Sequence, residues 1–260
     1  MLKTFAQAAE DYCAAAEKRV TQSLPRLLLL GALAGAFIAF AGVAASIGGA
    51  LGGKLASATI FPIGLTMVLL AGSELFTGNC LFLMPLLRRN ITAGHMLRNW
   101  VAVYLGNLLV GTRTVSLAGG YGVTIEINFL VVQCGALAGI AEAAVAAAVT
   151  KAALPFGVAL LRGVLCNFLV CLAVWMAFCA QSAGGKVVSL FGPIFLFVLC
   201  GFEHSVANMY YIPAGIFLAE NGEVTWLSLW QNLLPVTLGN MVGGCGLGGI
   251  LYLLYGRKNT

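Results

Sequence analysis

Residues 201–208 read Gly201-Phe202-Glu203-His204-Ser205-Val206-Ala207-Asn208, and they interrupt an apolar run that extends from Val187 to Leu218. A charged side chain at membrane depth costs on the order of a few kcal/mol, so a glutamate in such a run needs a partner or a purpose. The same skeleton, G-x-E-x-x-x-x-N, recurs at Gly72-Ser73-Glu74-Leu75-Phe76-Thr77-Gly78-Asn79, inside the apolar run from Ala58 to Leu87. A second echo follows each break, at Gly106-Asn107-Leu108-Leu109-Val110-Gly111 and at Gly239-Asn240-Met241-Val242-Gly243. Backbone freed from a helix in lipid must find other partners, so such breaks occur where protein or a water cavity surrounds them. Paired breaks in corresponding halves point to a translocation site near the bilayer midplane. Their freed N–H groups and half-helix N-termini favour an anion. Glu74 and Glu203 are expected to face inward and accept hydrogen bonds from loop amides or neighbouring asparagines, with Asn79, Asn208, Asn107 and Asn240 supporting the breaks. The plainer reading, two kinks in a passive bundle, leaves the matched Glu and Asn unexplained.

Around these breaks the composition is that of a membrane protein. Of 260 residues, 60% are hydrophobic and only 9% charged, and mean hydropathy is +0.97; a soluble domain carries roughly a quarter charged residues. A spanning helix needs about 20 mostly apolar residues. Arg26–Leu51, Ala58–Leu87, Met96–Leu117, Pro155–Ala180, Val187–Leu218 and Trp230–Tyr255 meet that need, which predicts an all-α protein of six transmembrane helices with the second and fifth broken. Three spans on each side of the midpoint make two inverted three-helix repeats. The Ala-rich segment Ile127–Thr150, with Glu142, reads as an extramembrane or interfacial extension rather than a seventh span. Met1–Ser23 alternates charges with Phe5, Tyr12 and Val20, the pattern of an amphipathic helix on a membrane surface, and lacks the uninterrupted apolar centre of a secretory signal. The domains expected are a surface helix over 1–24, a channel domain over 25–256 and a short tail over 257–260.

With the N-terminus placed in the cytoplasm, the inner segments hold ten basic residues (Lys3, Lys18, Arg19, Arg26, Arg88, Arg89, Arg98, Lys186, Arg257 and Lys258). The outer segments hold two, Lys54 and Lys151, while Arg113 and Arg162 fall within spans. That asymmetry fits the positive-inside rule and accounts for the net charge of +5 without a nucleic-acid partner. The eight cysteines form no CxxC pair and read as small core residues. Gly31/Gly35 and Gly239/Gly243 have the spacing that lets helices pack closely. No P-loop, nucleophile triad or metal cluster is present, so neither an enzyme, a resident metal nor a cofactor is expected.

Several motifs resemble the formate/nitrite transporter family. Gly201–Met209 (GFEHSVANM) closely matches its second broken-helix loop and Leu75-Phe76-Thr77 its first. Leu165-Cys166-Asn167 with Val170–Trp175 resembles its fourth helix, and Pro235–Asn240 (PVTLGN) its sixth. The resemblance implies a homopentamer in a bacterial-type inner or plasma membrane, both termini cytoplasmic, each protomer an aquaporin-like pore for a small monovalent anion: nitrite, formate or hydrosulfide. The form of the first loop leans toward nitrite- and hydrosulfide-type members. By the resemblance His204 is the central pore histidine, Thr77 the threonine facing it, Asn167 a polar residue near it and Lys151 the base that draws anions in. Phe61, Leu65, Leu75 and Phe197 are the apolar constrictions. Arg113 departs from the family's apolar third span.

The residues suggest a mechanism of their own. An anion crossing apolar rings loses hydration at large cost unless a cation balances it or it takes a proton. His204 can titrate near neutral pH, so it is expected to supply or relay that proton, with Thr77 and Asn167 orienting substrate and imidazole and Glu203 bracing the loop. A neutral-solute pore of the aquaporin kind would carry Asn-Pro-Ala at both breaks, and no proline follows Asn79 or Asn208. A haem-binding membrane subunit needs axial ligands, usually paired histidines, and His95 lies in a basic loop.

Overall fold

The computed structural model describes residues 2–111, 138–219 and 222–256. Among them the chain is helical, with a single isolated bridge between Leu2 and Ala180. Helix α1 (Phe5–Val20) starts in a capping box, with Gln7 N–H donating to Thr4 Oγ1 at 3.3 Å and Thr4 N–H to Gln7 Oε1 at 3.2 Å. Its stripe Ala8, Tyr12, Cys13, Ala16 and Val20 is buried. The sequence places this helix on a membrane surface; its apolar face instead packs into the protein, with Tyr12 edge-on to Phe178 at 5.0 Å. At its start Lys3 N–H donates to the Cys179 carbonyl at 2.9 Å, and at its end Glu17 accepts from Asn90 and Arg98 Nη1 donates to the Gln22 carbonyl at 3.0 Å, so both ends of the segment are tied down.

Helix α2 (Leu24–Ile60) has Pro25 in its first turn and two non-helical residues, Gly52 and Gly53, inside it. Gly53 has φ +71°, a conformation that glycine adopts without strain. These glycines separate the span read as Arg26–Leu51 from the limb that continues into α3 (Ile63–Leu70). After the first break come α4 (Phe76–Asn79), a 3₁₀ turn (Cys80–Phe82) and α5 (Leu83–Leu87). Helix α6 (Ala93–Gly111) covers most of the third expected span; the remainder to Leu117, with Arg113, lies outside the described residues. So does the first part of Ile127–Thr150, whose second part forms the 3₁₀ turn Ala138–Ile140 and helix α7 (Ala141–Ala152). At 12 residues α7 rises only about 18 Å, too short to cross a bilayer alone. Then follow α8 (Phe156–Cys179), α9 (Ala183–Cys200), the second break, α10 (Ser205–Leu218) and α11 (Trp226–Leu251), which widens into a π turn at Tyr252–Gly256. Residues 257–260 are outside the description. Among the described residues, four stretches are long and apolar enough to cross a membrane: Leu24–Leu70, Phe156–Cys179, Ala183–Cys200 and Trp226–Gly256.

Two helix pairs pack through small residues in the same way. A Cβ at Gly31 of α2 would lie 3.1 Å from the Gly106 Cα of α6; one at Gly163 of α8 would lie 3.2 Å from the Gly239 Cα of α11. Backbones this close exclude any side chain at the crossing. The two closely packed pairs hold the broken helices between them.

Candidate functional site

Each break begins with a glycine-centred helix end. Helix α3 stops at Leu70, Gly72 turns left-handed at φ +70°, and Ser73 N–H returns to the Val68 carbonyl at 3.1 Å. Helix α9 stops at Cys200, Gly201 sits at φ +72°, and Phe202 N–H returns to the Phe197 carbonyl at 3.0 Å. This is the Schellman geometry, which favours glycine at the left-handed position. The chain then runs extended to Leu75 and His204 and re-enters a helix at Phe76 and Ser205.

The restarted helices need acceptors for their first N–H groups, and asparagines supply them. Phe76 N–H donates to Asn107 Oδ1 at 3.0 Å and Ser205 N–H to Asn240 Oδ1 at 2.9 Å. Asn107 Nδ2 donates in turn to the carbonyls of Gly31 (2.7 Å) and Glu74 (3.1 Å), and Asn240 Nδ2 to those of Gly163 (2.9 Å) and Glu203 (3.0 Å). One amide side chain thus knits three elements together in each case.

The carboxylates are treated alike. Glu74 and Glu203 are 2% and 3% exposed. Glu74 Oε2 accepts from Asn79 Nδ2 at 2.7 Å, and Glu203 Oε2 from Asn208 Nδ2 at 2.6 Å. Each asparagine bonds a second one: Asn79 to Asn99 Oδ1 at 2.9 Å, and Asn208 to Asn232 Oδ1 at 2.7 Å. Each carboxylate also has a cation, Arg19 Nε at 3.3 Å from Glu74 Oε1 and Lys151 Nζ at 3.0 Å from Glu203 Oε1. A buried carboxylate is tolerable only when paired and hydrogen-bonded in this way.

Arg19, Asn99 and Asn232 are not among the sequence-derived candidates. A signal for the asparagines exists: Asn99 precedes Asn107 by the same eight residues that separate Asn232 from Asn240. Arg19 carries no such mark, because it comes from α1, outside the repeated pattern.

The two breaks meet at one hydrogen bond, 2.9 Å between Thr77 Oγ1 and His204 Nε2. His204 is the residue before α10, and its Nδ1 accepts from Ala207 N–H at 3.0 Å. An Nδ1 that accepts carries no proton, so the neutral imidazole bears its hydrogen on Nε2 and donates it to Thr77. The backbone cap therefore sets the tautomer, an assignment made from the hydrogen-bond network. No hydrogen bond joins Asn167 to the imidazole. Asn167 Nδ2 bonds the carbonyls of Thr77 (3.1 Å) and Asn240 (2.7 Å), so it locks the first break to α11. Lys151 bonds both oxygens of Glu203, at 3.0 and 3.1 Å, and lies 5.2 Å above the Tyr211 ring.

Phe61, Leu65, Leu75 and Phe197 all line one cavity with His204, together with Ile38, Val170 and Ile194. Phe61 and Phe197 meet edge to face at 5.8 Å, and Phe197 stacks on the His204 ring at 5.9 Å. The cavity holds about 10 Å³, room for no more than one water molecule. His204 thus borders a small cavity whose other lining residues are apolar. Seven described cysteines are free thiols, and no group of three or more His, Cys, Asp or Glu side chains among the described residues could hold a metal ion.

Comparison with known proteins gives one family over nearly the whole chain: the sequence model of the formate/nitrite transporter family matches residues 6–254. A protein of Methanothermobacter thermautotrophicus named as a probable formate transporter is 42% identical, across 96% of both chains. Two solved structures share the fold. One, described as an FNT family ion channel, superposes with a TM-score of 0.81 at 29% identity, covering 95% of this chain and 98% of that one. The other, a pentameric formate channel with formate bound, gives a TM-score of 0.75 at 30% identity over 89% of this chain and 96% of that one.

Proposed function

The chain belongs to the formate/nitrite transporter family, an integral membrane family of transporters rather than enzymes, and from that premise we propose that it conducts small monovalent anions, formate first among them. The observation that carries this reading is the Thr77–His204 contact, 2.9 Å across two helix breaks, with His204 bordering a small cavity otherwise lined by apolar residues. An anion stripped of water at Phe61, Leu65, Leu75 and Phe197 needs a donor at the point of greatest desolvation. With Nε2–H directed at its oxygen, the Thr77 hydroxyl can turn its own proton toward the cavity and offer it to the anion.

That arrangement sharpens the part given to the histidine. A neutral imidazole that loses Nε2–H becomes an imidazolate, which water-like pH does not favour, and protonating Nδ1 breaks the Ala207 cap. His204 is therefore a hydrogen-bond donor acting through Thr77 in the capped state, and it relays a proton only when the cap opens. Asn167, Asn107 and Asn240 hold the loops that carry the pair. Lys151, balanced by Glu203 and set over Tyr211, offers a fixed ammonium rather than a long-range field. Nitrite and hydrosulfide share the charge and size of formate, and they remain substrates of this reading.

The rest of the assembly follows from the same premise: six spans in two inverted halves, termini in the cytoplasm of a bacterial-type inner membrane, and five copies each with its own path. Purified protein in liposomes tests the function. Formate flux well above glycerol flux, with nitrite and hydrosulfide ranked beside it at neutral and acidic pH, is the expected outcome. Glycerol movement without anion movement would make this a neutral-solute pore.

A further inference from the structure

One hydrogen bond runs between the two closely packed helix pairs and has no part in the arrangement described so far. It joins Tyr104 Oη of α6 to Thr237 Oγ1 of α11 at 2.9 Å. Tyr104 stands three residues before Asn107, and Thr237 three before Asn240, so the two hydroxyls hold the same place in the repeated pattern. Equivalent positions that touch each other mark where two matched halves meet. From this joint each helix leads to one member of the Thr77–His204 pair. On the α6 side the Tyr104 ring meets Phe76 edge to face at 4.9 Å. Phe76 opens α4, gives its N–H to Asn107 and precedes Thr77 in the chain. Trp100, one turn before Tyr104, donates from Nε1 to the Asn79 carbonyl at 2.9 Å, so one face of α6 grips both ends of α4. On the α11 side Asn240, one turn beyond Thr237, bonds the Glu203 carbonyl and the Ser205 N–H, the residues on either side of His204.

We propose that Tyr104 is a positioning residue for anion passage: by bonding Thr237 its hydroxyl fixes α6 against α11 and so holds Thr77 within hydrogen-bond reach of His204. The proposal rests on the anion-channel reading and deepens it. A phenylalanine would keep the contact with Phe76, so packing alone leaves the hydroxyl without a task. Asn167 already ties the Thr77 carbonyl to α11, but the reach of the Thr77 side chain also depends on where α6 sets Phe76. Hydrogen bonds between membrane helices add little to stability, because separated helices find other partners. Their effect on geometry is larger here. The Thr77–His204 bond is 2.9 Å long, and parting its atoms by about 1 Å abolishes it.

The test is formate flux in liposomes across a range of pH for the unsubstituted protein, Tyr104→Phe, Thr237→Val and the double variant. Both substitutions remove a hydroxyl and keep the shape, so thermal unfolding midpoints in detergent should stay close to that of the unsubstituted protein. Flux should fall about three- to tenfold in either single variant, the scale of one interhelical hydrogen bond read as a rate. Its pH response should flatten, because Thr77 no longer rests on the imidazole. The double variant should be no slower than the singles, since all three lack the same bond. Unchanged flux in both single variants would overturn the proposal and leave the channel intact. So would a loss that is equal at every pH, that multiplies in the double variant or that follows a lowered unfolding midpoint, since each marks a brace and not a positioning contact. Absence of formate flux through the unsubstituted protein would instead overturn the anion reading, and the proposal with it.

Discussion

His204 does two jobs with two nitrogens, and that division makes it separable by mutation. Nδ1 caps the restarted helix at Ala207, while Nε2 reaches across to Thr77. Asparagine is a good N-cap residue, so His204→Asn is expected to keep the cap and the fold. Its shorter side chain cannot reach Thr77. We expect formate flux in liposomes to fall at least tenfold and its pH response to flatten. A His204→Asn channel with both the original rate and the original pH response would remove the histidine from the mechanism. At this scale the sequence was informative wherever a residue type is expensive in lipid: Glu74, Glu203 and His204 are conspicuous because a membrane resists them. Tyr104 was not, since a tyrosine in a spanning helix is unremarkable until its hydroxyl is found bonded to Thr237.

At the scale of elements, the breaks hold because α8 and α11 are in backbone contact and α2 and α6 are in the same kind of contact. A methyl group at Gly163 would lie 2.7 Å from the Val236 carbonyl oxygen, an atom that cannot rotate away. Gly163→Ala should therefore cost about 1–3 kcal/mol by overpacking. On the same helix, a Cβ at Gly157 meets nothing within 4 Å, so Gly157→Ala should be neutral or slightly stabilising. Thermal unfolding in detergent compares the two, and equal midpoints would show that the close crossing does not bear the load. The spacing of Gly31/Gly35 and Gly239/Gly243 announced such contacts, but not their partners. Gly163 pairs with Gly239 across 76 positions of sequence, a relation that no local pattern carries.

For the whole molecule, many large apolar side chains remain on the outside of the single chain, among them Leu51 (84% exposed), Val188 (76%) and Leu29 (69%). Lipid and neighbouring copies are the surfaces that can cover them. Native mass spectrometry from mild detergent should find an assembly five times the 27.1 kDa protomer mass. A species that stays monomeric in every mild detergent would count against the pentamer. The charge asymmetry along the chain belongs to this scale too, since an excess of Lys and Arg in loops on one side acts on the topology as a whole and not on any one element.

Composition and periodicity by themselves determined that this chain is helical and membrane-embedded, because apolar runs of about 20 residues with so few charges have no other stable home. The repeated G-x-E-x-x-x-x-N located both breaks, since glycine is needed where the helix ends left-handed and asparagine where a buried carboxylate needs a donor. The tertiary structure decided what the breaks are bonded to. Only folding brings Arg19 to Glu74 and Lys151 to Glu203, sets Asn167 on the Thr77 carbonyl rather than on the imidazole, and turns the apolar stripe of α1 into the protein. Those partners lie 52 to 90 residues apart where the bonds are side chain to side chain or backbone. At such separations, pairing is set by how helices pack and not by any signal that a local stretch of sequence can hold.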